Sequence, residues 1–145
     1  MEYQSPLHKK LHEGVFVFTA ETTPPDAANK ETLLKKIKPL AEKLDEYLKI
    51  TIIFTNWIKD KMKNSKDDVS AACNDYLKVL GLIALAYSWL KILNVSYQEL
   101  SKNKRFFEDK IVTANFFFHR VLPRIDSHYK SAISGSKYIM DFKFN

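Results

Sequence analysis

ETLLKKIKPLAEKLDEYLKITIIFTNWI, residues 31–58, decides the fold class. Leu33, Ile37, Leu40, Leu44, Tyr47, Thr51, Phe54 and Ile58 recur at alternating spacings of four and three, the stripe of a bundle helix. Leu34, Ala41 and Leu48 widen it to one side, and most of the Lys, Asp and Glu side chains fall off it. The spacing predicts a helix from about residue 27 to about residue 63. Pro39 lacks the N–H of an interior position and predicts a kink or a restart. Thr51-Ile52-Ile53-Phe54 has strand-like composition, but the stripe runs straight through it. The lysine-rich run from Lys59 to Lys66 ends the helix in solvent, where cations complement its dipole.

Downstream, Asp67-Asp68 predicts the start of a second helix reaching about Leu93. Cys73, Leu77, Leu80, Ala84, Tyr87 and Lys91 share one face. Val79, Ile83, Ala86, Leu90 and Leu93 occupy others, so this helix is expected to be central and buried on most sides. Ser96-Tyr97-Gln98-Glu99 has the form of a capping box, with Val95 and Leu100 placed for a hydrophobic staple, and predicts the start of a third helix. A short first piece of it would end near Ser101 to Lys104. Its stripe is Phe107, Ile111, Ala114, Phe118, Val121, Ile125 and His128. Pro123 should kink it, Gly135 should stop it, and the apolar tail from Tyr138 to Phe144 is expected to fold back. The fold class expected is therefore all-α, an antiparallel bundle of three to four long helices.

Upstream, residues 1–26 form an irregular N-terminal segment ahead of a bundle domain at 27–145. Gly14 to Thr19 has strand composition but no pairing partner, which leaves extended chain or helix as its readings; Thr22-Thr23-Pro24-Pro25-Asp26 reads as a breaker, with Thr23 placed to cap a helix that has Pro24 at its first position. With 145 residues and three glycines, the chain has the length of one domain and is poor in tight turns. The net charge of +6 is concentrated in residues 31–66 and 96–145, flanking a nearly neutral stretch. Solvated helix faces explain that balance most simply. The single cysteine, Cys73, cannot form an internal disulfide and suits a reducing compartment. Met1 to Pro6 has no apolar leader, and the longest uncharged run, Val79 to Leu90, is too short to span a bilayer. A cytoplasmic location with no membrane span is expected.

The residues offer little chemistry. His8 and His12 are spaced for a metal pair on a helix, but no third ligand follows, and no metal site is expected. Cys73 lies on an apolar helix without a nearby histidine and is expected to be a buried, inert thiol. His119 and His128, nine residues apart, do not share a face. Arg120 and Arg124, one turn apart, are the candidate anion contact, with pairing to Asp126 or solvation as the alternative. Gly135-Ser136-Lys137 lacks the first glycine and the preceding strand of a phosphate loop. Lys102 to Phe107 interleaves basic and aromatic residues without any helix-turn-helix, zinc-finger or RNA-recognition signature, so nucleic acid is not an expected partner. No catalytic residue is assigned.

Two segments carry a resemblance. One runs from Asn74 to Trp89 and contains Tyr76-Leu77, Gly81, Ala84, Tyr87 and Trp89. The other runs from Phe107 to Pro123 and contains Lys110, Thr113-Ala114, Phe116-Phe117 and Arg120-Val121-Leu122-Pro123. In this order they resemble the C-terminal helical extension of one branch of the acyl-CoA dehydrogenases, over about residues 31–143. The resemblance implies that FAD and the acyl-CoA thioester are bound by larger upstream domains that also hold the catalytic carboxylate. This chain would then carry no cofactor and be inactive alone. Its expected partners are those flavin and acyl-CoA-binding domains or a second copy of itself, as a homodimer. Docking of this kind predicts an exposed apolar patch. The alternatives are a stand-alone domain that presents a groove to a partner helix and a basic anion-binding module using Lys102, Lys104, Arg105, Arg120 and Arg124.

Overall fold

The computed structural model describes residues 27–140, all of whose regular elements are helices. Helix α1 spans Ala27–Asn64 and α2 spans Lys66–Gln98. The third arm is α3 (Lys104–Phe116), a π-helical turn (Phe117–Val121) and α4 (Arg124–Ile133), followed by a short α5 (Lys137–Met140). The strand-like stretch at 14–19 and the cap at Thr23 lie outside the described residues.

One residue, Ser65, joins α1 to α2. Its backbone is extended, at φ −154° and ψ 96°, and its Oγ accepts from Asp68 N–H, as an N-cap does. The two helices run antiparallel: Lys61 meets Asp68, Thr55 meets Tyr76 and Lys36 lies over Tyr97, so pairing residues climb on one helix as they descend on the other. The third arm is antiparallel to α2 in turn, through Trp89 with Phe117, Asp75 with His128 and Asp68 with Ser136.

The core follows two stripes. On α1 the expected one is largely correct, with Leu33, Leu40, Leu44, Thr51 and Phe54 buried. Helix α1 continues unbroken through Pro39, since buried Leu33 before it and Leu40 and Leu44 after it hold one line to the core. Phe54 is sealed and meets Tyr76 of α2 and Tyr129 of α4 edge-on, at centroid distances of 5.1 and 5.5 Å. Thr55 Oγ1 lies 2.9 Å from the Tyr76 hydroxyl, which gives that phenol its polar partner.

On α2 the expectation fails in an informative way. The closed line is Ala72, Val79, Ala86 and Leu93, every seventh residue, flanked by Tyr76, Ile83, Leu90 and Tyr97. Cys73, Leu77, Leu80, Ala84, Tyr87 and Lys91 are all exposed, so Cys73 is a surface thiol and the helix is buried on one side only. Among the described residues α2 is the one helix long and apolar enough to cross a membrane by length and composition. Its contacts with both other arms account for only part of that apolarity.

The capping box is also overturned. Ser96 is buried inside the last turns of α2, and its Oγ donates to the Ile92 carbonyl at 2.7 Å. A Ser-x-x-Glu sequence caps only where the chain enters a helix; here Leu93, Ser96 and Tyr97 continue a helix already packed on the core. The start signal is Asn103, whose Oδ1 accepts from Phe106 N–H at 3.3 Å.

Pro123 interrupts the third arm as expected, and the chain adapts just before it. Leu122 N–H donates to the Phe117 carbonyl at 2.9 Å, five residues back, closing a π turn. The consecutive Phe117 and Phe118 both reach the core, edge-to-face at 5.8 Å. The arm ends at Gly135, whose φ of +80° is the left-handed region open to glycine. Of the tail expected to fold back, Tyr138 and Ile139 are exposed, and residues 141–144 lie outside the described residues.

Asp68 ties three elements together at this end. Its carboxylate accepts from Lys61 Nζ at 2.8 Å and from both the N–H and the Oγ–H of Ser136, each at 2.8 Å. The Lys61 bond first, then the two Ser136 bonds, hold its carboxyl far below the usual carboxylate range. A Cβ at Gly135 would stand 3.1 Å from Asp68 Oδ1, so the glycine also leaves room for this acid.

Two outcomes follow. Phe54→Ala should destabilise the chain by about 3–5 kcal/mol in urea unfolding, by emptying a sealed site shared by three helices. A depressed folded-state pKa contributes stability that is present above the unfolded value and lost as pH falls toward the folded one. Wild type should therefore lose melting temperature more steeply than Asp68→Asn between about pH 4 and pH 2, while melting higher than the variant at neutral pH.

Candidate functional site

The titratable groups do not gather into a catalytic constellation. His119 Nδ1 lies 2.9 Å from Lys43 Nζ on the α1 side, whereas His128 Nδ1 lies 2.8 Å from Asp75 Oδ1 on the α2 side. Cys73 is exposed on α2. Among the described residues no three His, Cys, Asp or Glu side chains are placed to hold a metal ion. His8 and His12 lie outside the described residues.

The candidate anion pair is treated unevenly by the fold. Arg120 sits in the π turn and Arg124 opens α4, both exposed, with Pro123 between them. Arg124, together with Ser127 and His128, lines a cleft of about 550 Å³ against Lys78, Gly81, Leu82 and Leu85 of α2. Lys78 was not singled out by sequence reasoning; no local spacing joins it to Arg124, forty-six positions on. Of the other basic residues considered, Lys102 pairs with Glu99, and Lys104 approaches Glu108 at 3.8 Å.

The dominant surface feature is apolar. Leu77 is 69% exposed, Leu85 51% and Val95 50%, all on α2. Toward the C-terminal end of α2 this surface runs into a groove of about 360 Å³ between α2 and α3, lined by Ile92, Val95, Phe106 and Phe107 with Lys91 and Lys110 beside them. The lysines cover aromatic rings: Lys91 Nζ lies 4.9 Å from the Tyr87 centroid, and Lys110 Nζ 5.2 Å from that of Phe106. Leaving apolar area in water forgoes roughly 25 cal/mol per Å². Contiguous patches of this kind mark interaction sites.

The bundle and its outer face define a class, a helical domain whose central helix is apolar on two sides. Residues 18–143 match the acetyl-CoA dehydrogenase C-terminal-like family, and the chain belongs to that family. The match takes in residues 18–30, upstream of where the two sequence segments carry the resemblance. No curated protein and no solved structure matches the chain.

The two stripes of α2 can be told apart by charge insertion. Leu77→Glu, on the outer stripe, should change folding stability by no more than about 0.5 kcal/mol. Val79→Glu, on the closed stripe, buries an unpaired carboxylate and should abolish cooperative thermal unfolding followed by circular dichroism.

Proposed function

We propose that this chain is an accessory helical domain of a flavin-dependent acyl-CoA dehydrogenase, without catalytic activity of its own, that works by packing against the domains that carry the chemistry. The exposed apolar face of α2 carries the proposal, because a member of this family has one side of its most apolar helix open. FAD and the acyl-CoA thioester would be held by the flavin and acyl-CoA-binding domains in the cytoplasm, in the same assembly. Without them, a second copy of the chain would cover the face as a homodimer.

The cleanest test combines spectroscopy with sedimentation. The purified chain should show no flavin absorbance and no acyl-CoA oxidation with an artificial electron acceptor. It should self-associate with rising concentration in the ultracentrifuge, and Leu77→Glu with Leu85→Glu should return it to monomer. Bound FAD, or turnover by the chain alone, would overturn the proposal. A monomer at all concentrations that also fails to bind an apolar dye would remove its basis.

The groove between α2 and α3 favours a second reading, a stand-alone interaction domain that receives an amphipathic helix. Its flanking Lys91 and Lys110 suit a partner helix with acidic residues beside its apolar stripe. Flavin and acyl-CoA domains encoded immediately upstream would decide against this reading.

A further inference from the structure

Lys78 and Arg124 line one cleft, and among the described residues neither has an acidic partner. Of the acids close in sequence to the two cations, Asp126 accepts from the Tyr47 hydroxyl at 3.4 Å and Asp75 is engaged by His128 Nδ1 at 2.8 Å. A carboxylate only accepts, so Nδ1 carries the proton in that bond and Nε2 is the ring nitrogen left for a ligand. Ser127 adds a hydroxyl to the same wall. The α2 wall opposite carries Lys78 and, on the other side of Gly81, the apolar Leu82 and Leu85.

Gly81 lines the cleft without a side chain. It lies within α2, where glycine costs roughly 1 kcal/mol against alanine. A Cβ built on it meets nothing within 4 Å, so no packing contact demands its absence. Its φ is not positive, so the backbone does not demand glycine either. A side chain at position 81 would project from the α2 wall of the cleft, which Gly81 lines with Lys78 and Leu85.

We infer that this cleft between α2 and α4 binds a phosphorylated small molecule, its phosphate held by Lys78, Arg124 and Ser127 and its apolar body lying on Leu82 and Leu85. A guanidinium fork beside a point-charge ammonium suits the several oxygens of a phosphate. The volume of about 550 Å³ falls within the usual range for small-ligand sites, roughly 300–1,000 Å³, and the concave shape suits a compact ligand better than an extended acidic peptide. The cleft shares Leu85 with the proposed docking face, so binding is read on monomeric chain, below the concentrations at which sedimentation shows self-association, and a failed titration there leaves the docking reading untouched.

The test is a titration of the ¹⁵N-labelled full chain with ADP, pyrophosphate and adenosine, followed by amide shifts. ADP and pyrophosphate should give saturable shifts at Lys78, Gly81, Arg124 and Ser127, and adenosine should give none there. Lys78→Ala and Arg124→Ala should each weaken ADP roughly tenfold, and Lys102→Ala should leave it unchanged. Gly81→Leu should block binding without lowering the melting temperature, which separates a filled cleft from a damaged fold. Absence of saturation by about 5 mM would overturn the inference. So would equal losses from Lys78→Ala and Lys102→Ala, the signature of diffuse attraction to a basic surface.

Discussion

Along α2, every seventh residue from Ala72 to Leu93 is closed to solvent, and both other arms pack on that line. A repeat of seven is what keeps a helix in register with its neighbours over many turns. Two of the four closed positions are alanine, Ala72 and Ala86, so the neighbouring helices bring the bulk: Phe54 from α1, and Phe117, Phe118 and Ile125 from the third arm. The rest of the bundle is arranged around this narrow stripe. Phe54 bridges α1 to Tyr76 and Tyr129, and Trp89 leans on Phe117.

Because the core uses one side of α2, its other side is left with Leu77, Leu80 and Leu85 facing water. Those residues leave much of their apolar surface in water in the isolated bundle. A helix whose two opposite sides are both apolar satisfies two neighbours at once, one inside the domain and one outside. The packing proposed above would use that outer side, and the basic cleft lined by Gly81 lies beside it, where α2 meets α4.

The helices were legible in the sequence wherever a stripe had a polar opposite. On α1 the lysines and acids mark the outside, and the buried positions follow from spacing alone. On α2 both stripes are apolar, so periodicity selects the line through Cys73 and Leu77 as readily as the one through Ala72 and Val79; partner contacts decide between them, and those are not local. Ser96 misleads for a similar reason, since its capping motif is intact but the chain around it is already helical. The π turn has one sequence marker, Pro123, which predicts a disturbance without giving its form. Asp68 reads only as a helix-start residue, yet its partners are Lys61 and, sixty-eight positions away, Ser136. Lys78 is invisible as a partner of Arg124 on the same grounds.

The single-residue link at Ser65 sets the order in which contacts are cheap to make. From it, α1 and α2 can zip outward, Lys61 with Asp68 first and then Thr55 with Tyr76 at a separation of 21 residues. The third arm must close loops of 53 to 68 residues to bring His128 to Asp75 and Ser136 to Asp68. By chain-closure entropy alone, going from 21 to 68 residues costs only about 1 kcal/mol more. The hairpin thus has the shorter closure, and the arm bearing the π turn, α4 and half of the basic cleft has the longer one. The cleft exists only after that last arm has docked, and its presence reports the complete bundle.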